Sequence, residues 1–230
     1  MYYGQLLIQN GKRQHDQNFK KQIRKSHATV PPIIENHRRA MYSNHHRLET
    51  PSPGAGSRKK KQAATISEYA RRTSISRSEG NLLFQIATFL KPDRIIELGT
   101  SLGFSTMYMA YGSPYSQIFT VEGNRQIADI AEASFKQHHL SQIKVIHKLF
   151  DDALPELVRV TTPGSMVFID GNHSYEATMK YVNAFATAGL IILDDIRWSE
   201  QMIRAWNEIS SSGQDIEIID LFSLGIIIRK

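Results

Sequence analysis

The chain contains no cysteine. That absence removes disulfide staples, thiolate metal sites and cysteine nucleophiles, and it leaves the redox compartment open. No apolar run approaches the ~20 residues that a membrane-spanning helix needs, and the one within MYYGQLLIQNGKRQ is too short for a secretory signal. A soluble, cytoplasmic protein is therefore expected. Acids are scarce at one end: residues 1–61 hold 13 lysines and arginines against 3 acids, whereas residues 62–230 hold 15 against 19. The net charge of +6 thus belongs to the N-terminal segment alone. That segment closes with PSPGAGSRKKK, Pro51 to Lys61, a turn or linker followed by a cationic cluster. Such a cluster can meet phosphate or nucleic acid, but no aromatic residue interleaves with the lysines to stack bases. A solvated arm that covers the site or a partner subunit is the preferred reading. The length suits one substantial core with an appended segment, so residues 1–62 are expected to form a basic, partly helical arm or cap and residues 63–230 one domain.

What is present beyond residue 63 is a regular alternation of helical and strand patterns. Helices are predicted at 66–72, 78–90, 105–111, 124–138, 153–160, 175–186 and 199–210, and strands at 94–98, 117–122, 144–148, 165–170, 190–194, 215–220 and 224–229. The alternation predicts an α/β, Rossmann-like, seven-stranded and mostly parallel sheet with helices on both faces. Only a short turn separates the last two strands, which predicts an antiparallel hairpin at one end.

In the stretch RIIELGTSLGFSTMYMA, Arg94 to Ala110, a strand runs into a helix through a glycine-bearing turn. Such a turn lets backbone amides and a helix N-terminus approach a polar ligand closely; it serves equally as a tight structural connection. Ligands of open α/β sheets lie beyond the carboxyl ends of the strands, and here those ends carry acids: Glu97 to Gly103, Glu122, Asp151 with Asp152, Asp170 within DGNH, and Asp194 with Asp195. Any one of them reads as a helix cap or solvated turn. Acids at five successive strand ends crowd negative charge at one rim unless a ligand or cation neutralises it.

The segment from Ser76 to Lys230 resembles the class I S-adenosylmethionine-dependent methyltransferases, and within them the cation-dependent O-methyltransferases of the catechol and caffeoyl-CoA type. RSEGNLLFQIATFLKPDRIIELGTSLGFST is similar to that family's D-E-G-Q helix and E-x-G-x-x-x-G-x-S loop. IFTVEGN places Glu122 at the acid ending the second strand, and LFDDALPEL places Asp151 near the adenine. FIDGNHSY supplies Asp170 and, where the family commonly has lysine, His173; ILDDIRW supplies Asp194, Asp195 and Trp198, with aspartate where the family has asparagine. These two departures resemble the D-x-x-H and acidic-pair pattern of metal-dependent sugar O-methyltransferases.

The resemblance implies S-adenosylmethionine held by Glu97, Gly99, Ser101, Gly103, Ser105, Glu122, Asp151 and Asp170. Glu122 suits the ribose diol, Ser101 and Ser105 the methionine carboxylate, and Glu97 the ammonium side or the loop itself. Ser105 has a second reading as the cap of the helix it begins. Asp170, Asp194 and Asp195 suit Mg2+ or Mn2+, hard cations that take oxygen ligands. His173 and Asp170 are the catalytic candidates, His173 as the base for a hydroxyl of a small molecule, a sugar or a phenol; its other reading is a turn or cap residue. A homodimer closed by residues 1–60 fits the same picture. Two other functions stand beside it: a nucleic-acid methyltransferase using the basic arm, disfavoured because no N-P-P-Y-like loop is present, and a non-catalytic cofactor-binding scaffold.

Overall fold

A computed structural model describes residues 28–49, 65–212 and 216–229. Most of the basic arm, and with it the expected domain boundary near residue 62, lies outside the described residues. In chain order the elements are α1 (Pro32–Tyr42), α2 (Ile66–Thr73), α3 (Arg77–Leu90), β1 (Arg94–Leu98), α4 (Phe104–Gly112), β2 (Gln117–Glu122), α5 (Arg125–Gln137) and β3 (Ile143–His147). They continue with α6 (Phe150–Val160), β4 (Ser165–Ile169), α7 (Tyr175–Ala184), β5 (Leu190–Leu193), α8 (Glu200–Ser211), β6 (Ile216–Asp220) and β7 (Gly225–Arg229).

The seven strands form one sheet in the order β3-β2-β1-β4-β5-β7-β6. The first five are parallel, and β7 inserts antiparallel between β5 and β6. A parallel strand covered on both faces is apolar throughout, as SMVFI of β4 and LIIL of β5 are, every residue buried. The side-chain period of two sends alternate residues to opposite cores. Ile95, Met166, Phe168 and Ile192 join the helices α1 to α5 on one face. Ile96, Leu98, Val167, Ile169 and Leu193 join α6, α7 and α8 on the other.

Local chemistry fixes where the helices begin. Thr65 with Glu68 and Ser76 with Glu79 close reciprocal capping boxes at the starts of α2 and α3. Asn124, Ser174 and Ser199 accept backbone N–H bonds at the starts of α5, α7 and α8. Every helix and strand predicted from the sequence is present, with ends moved by a few residues. The largest shift is α6, which begins at Phe150, so Asp151 and Asp152 stand in its first turn where the macrodipole favours acids.

Helix α1 covers α4. Its Ile34 is fully buried in the core, and the chain after it is tied to α2 by Ser67 N–H to Asn44 O at 2.8 Å and Ile66 N–H to His46 O at 2.9 Å. The sheet order reverses between β1 and β4, so the crevice of this fold opens beyond Leu98 and Ile169.

Candidate functional site

At that crevice the turn after β1 passes so close to β4 that only a glycine fits. Gly99 has φ +113°, and a Cβ there would stand 1.9 Å from the backbone oxygen of Asp170. Gly103, at φ +81°, closes the turn against the Phe135 ring and begins α4 without a side-chain cap. Between them Ser101 adopts a left-handed conformation, φ +48°. The backbone fastens the turn to β2, with Gly99 N–H and Thr100 N–H both donating to Val121 O at 3.0 Å.

Two carboxylates hold this turn from below and from the side. Glu97 is fully buried and accepts hydroxyl bonds from Ser105 at 2.6 Å and from Thr106 and Thr120 at 2.5 Å. Burial pushes its carboxyl up to about 7 against the pull of those three donors. Glu122 takes Ser101 N–H at 3.0 Å on one oxygen and Asn124 N–H at 2.9 Å on the other. Burial raises its pKa, while these backbone donors favour the charged form. Gly123 N–H is a third backbone donor, which leaves the carboxylate about one lone pair for a further hydroxyl donor.

The serines behave differently from the expectation. The Ser105 hydroxyl proton goes to Glu97, not outward, and α4 has no side-chain cap, so Ser105 braces the turn. Thr73 Oγ1 donates to Tyr69 O at 3.0 Å and lies 3.2 Å from Ser101 Oγ. With its one proton committed, Thr73 accepts from Ser101. Neither serine then has a hydroxyl proton left for a carboxylate; the N–H groups of Gly99, Thr100, Ser101 and Gly103 are bonded internally, which leaves Leu102 N–H and the N-terminus of α4 as the donors for one.

The acids of β4 and β5 form the second half of the site. Asp170 follows β4, its N–H bonded to Leu98 O at 2.9 Å, and Asp194 follows β5, its N–H bonded to Ile169 O at 3.0 Å. Asp194 accepts the Asp195 N–H at 2.8 Å, and Asp195 turns back in a left-handed conformation, φ +55°. His173 lies between them, Nε2 being 3.7 Å from Asp170 Oδ1 and 3.8 Å from Asp195 Oδ2. Burial, and then the neighbouring Asp194, Glu97, Asp195 and Glu79, hold the Asp170 carboxyl well above the usual carboxylate range. Burial followed by Asp195 pushes Asp194 up to about 7. Burial lowers His173, and Asp195 opposes that shift.

This donor set is oxygen-rich, and its carboxylates repel one another, conditions that a hard divalent cation relieves. In donor chemistry Asp170, Asp194 and Asp195 fit such an ion. As the side chains stand, no group of three or more acids and histidines among the described residues is gathered closely enough to hold one. The Asp151 carboxylate is 57% exposed and pairs with Lys180 Nζ of α7 at 2.9 Å, which lowers its pKa.

Several participants escaped the sequence reading. Thr120 sits opposite Glu97 in the β1–β2 register, so its hydroxyl was findable once that register was known. Thr106 and Thr73 carry no signal beyond being hydroxyls near the turn. Glu79 serves the α3 capping box, yet its charge is felt at Asp170 and Asp194, which places the start of α3 at the same crevice.

The sheet order and the glycine turn flanked by strand-end acids define a class I methyltransferase fold. Residues 96–196 match the family model described as a methyltransferase domain. The chain is 27% identical over 136 residues to a catechol O-methyltransferase of Mycobacterium tuberculosis, covering 58% of this chain and 61% of that one. It is 29% identical over 126 residues to a catechol O-methyltransferase of Niastella koreensis, covering 53% and 57%. The chain thus spans about six-tenths of the length of these relatives. Among solved structures, the O-methyltransferase of Bacillus cereus in complex with SAH superimposes with a TM-score of 0.60 at 23% identity, over 68% of this chain and 83% of that one. Together these findings show a methyltransferase domain over residues 96–196 and the fold of the class I methyltransferases around it. No described helix is long and apolar enough to cross a membrane.

Proposed function

We propose that the protein transfers a methyl group from S-adenosylmethionine to a hydroxyl of a small molecule, a phenol or a sugar. The observation that carries the reading is the juxtaposition across the switch point. The glycine turn and Glu122 lie beyond β1 and β2, and His173 lies between Asp170 and Asp195 beyond the neighbouring β4 and β5. The catechol O-methyltransferase relatives support the acceptor class.

Bound S-adenosylmethionine supplies an electrophilic methyl group on a sulfonium. Glu122 accepts from a ribose hydroxyl, while Leu102 N–H and the N-terminus of α4 offer backbone donors to its amino-acid end. His173 takes the acceptor's proton at Nε2. Its burial keeps the imidazole neutral beforehand, and Asp195, 3.8 Å from Nε2, stabilises the imidazolium that results. Asp170, Asp194 and Asp195 are the residues that would hold a divalent cation, whose chemistry is to polarise the acceptor oxygen and lower its pKa. Because methyl transfer needs an aligned oxygen, carbon and sulfur, orientation by these groups is the main contribution of the chain.

The test is calorimetric titration with S-adenosylhomocysteine, followed by assay of methyl transfer from S-adenosylmethionine to a panel of phenols and sugars with and without EDTA. The wild type should bind, and Glu122→Ala should weaken binding by about 10- to 100-fold, the worth of a charge-assisted contact. An absence of binding by the wild type refutes the reading. Equal affinity in the variant removes Glu122 from the site.

A further inference from the structure

Helices α1 and α2 reach the glycine turn with one polar side chain each. Thr73, the last residue of α2, meets Ser101 Oγ at 3.2 Å. His37 of α1, 4% exposed, hydrogen-bonds the backbone of Leu102, the next residue of the turn. Its ring also packs against Phe104, the first residue of α4, at 5.3 Å, and edge-on against His138 at 5.3 Å. Helix α1 is itself anchored. Its Glu35 carboxylate takes Arg77 Nε at 2.6 Å and the Tyr108 hydroxyl at 3.0 Å, and Arg38 lies 4.7 Å over the Phe104 ring.

From these contacts we infer that His37 and Thr73 are positioning residues that set the conformation of the Gly99–Gly103 turn for its ligand. The inference rests on the cofactor reading above. Ser101 is a non-glycine residue in left-handed backbone, a conformation that persists where the surroundings over-determine it. Glu122 fixes its N–H and Thr73 fixes its hydroxyl. The same Glu122 carboxylate is the candidate ribose acceptor, so a turn released at Ser101 or Leu102 also releases one bond that orients Glu122. The effect therefore falls on cofactor affinity as well as on folding.

His37 Nε2 has no partner, so the bond to Leu102 falls to Nδ1. Asparagine places an amide nitrogen at nearly that position, whereas phenylalanine keeps the ring volume and loses the donor. In the same way, serine at position 73 keeps the hydroxyl, and valine keeps the shape without it.

The experiment titrates the full chain and the variants His37→Phe, His37→Asn, Thr73→Val and Thr73→Ser with S-adenosylhomocysteine, and records the melting temperature of each. Thr73→Val and His37→Phe should each weaken binding by about 5- to 10-fold, the scale of one hydrogen bond. Thr73→Ser and His37→Asn should stay within about threefold of the wild type, whatever their melting temperatures. Loss of affinity that follows melting temperature across all four variants, or unchanged affinity in Thr73→Val and His37→Phe, overturns the positioning role. Failure of the wild type to bind would instead overturn the cofactor reading, and this inference with it.

Discussion

Replacing Gly99 with alanine tests the joint between β1 and β4, on which the whole site depends. The added Cβ would sit 1.9 Å from the Asp170 backbone oxygen and 3.0 Å from its carbonyl carbon. Neither atom belongs to a flexible side chain, so the strand ends must separate. Moving them strains the Asp170 N–H bond to Leu98 O and the Gly99 N–H bond to Val121 O. Overpacking a rigid contact costs about 1–3 kcal/mol, and holding alanine at a φ of +113° adds about 1–3 kcal/mol. A total near 4 kcal/mol corresponds to roughly 10 °C in melting temperature for a domain of this size. Gly164→Ala is the control. Its Cβ would meet only the Asp93 carboxyl group, at 3.1 Å, without positive φ, and about 1 kcal/mol is expected. Thermal and urea unfolding followed by circular dichroism read the difference, and S-adenosylhomocysteine titration reads the displacement of the turn. A Gly99→Ala protein as stable as Gly164→Ala, with wild-type affinity, would refute the argument that this contact sets the crevice.

Four other outcomes follow from named groups. His173→Ala should bind S-adenosylhomocysteine normally and lose about 100-fold or more in methyl-transfer rate, the scale of acid-base assistance, and a small rate effect would return His173 to a turn role. EDTA should abolish transfer, and Mg2+ or Mn2+ should restore it, with S-adenosylhomocysteine affinity unchanged; full activity in EDTA would leave Asp194 and Asp195 without a cation. His37, held near 4 by burial, by His138 just after α5 and by Arg38 beside it, with the Leu102 carbonyl opposing, is neutral when folded. Its unfolded form takes up a proton below about 6.5, so stability rises with pH between about 4 and 6.5, by about 3 kcal/mol in all, and urea midpoints of His37→Asn against wild type should show that slope disappear. Asp220, lowered to about 2 chiefly by Arg197, accepts two Arg197 bonds, the Trp206 indole N–H at 2.8 Å and Phe222 N–H at 2.9 Å. Its contribution is present above the unfolded value of 3.8 and fades toward 2, and Asp220→Asn should cost about 1–2 kcal/mol at neutral pH, discounted for the exposure of the pair; no change in urea midpoint would discount that network.

The sheet was legible because parallel strands buried on both faces leave continuous apolar runs, and because Gly99, Glu122, Asp170 and Asp194 fall where those runs stop. Helix α1 was legible only as an unplaced part of a partly helical arm or cap. PIIENHRRAMY puts histidine and two arginines where a surface helix would, yet His37 and Arg38 are 4% and 3% exposed because Phe104 and Tyr108 of α4 cover them. Nothing within eleven residues of sequence encodes a lid whose partners come from α3 and α4. The pairing of Asp151 with Lys180 was not legible for the converse reason: it is a relation between two helices 29 positions apart.

Glu97 shows what separates a readable residue from a readable role. Its position after an apolar run marked it as an acid at the rim, open to two readings, the ammonium side of a ligand or the loop itself. The structure surrounds it with Ser105 and Thr106 from α4 and Thr120 from β2, three donors from two elements that converge only once β1 and β2 are in register. With no exposed surface, and with burial raising its pKa to about 7, Glu97 ties the start of α4 to the sheet through these three hydroxyls. The turn is therefore gripped from inside by Glu97, from the sheet edge by Glu122 and from the cap by Thr73 and His37. A ligand that closes on it meets a conformation already assembled, which limits the ordering cost of binding to its own side.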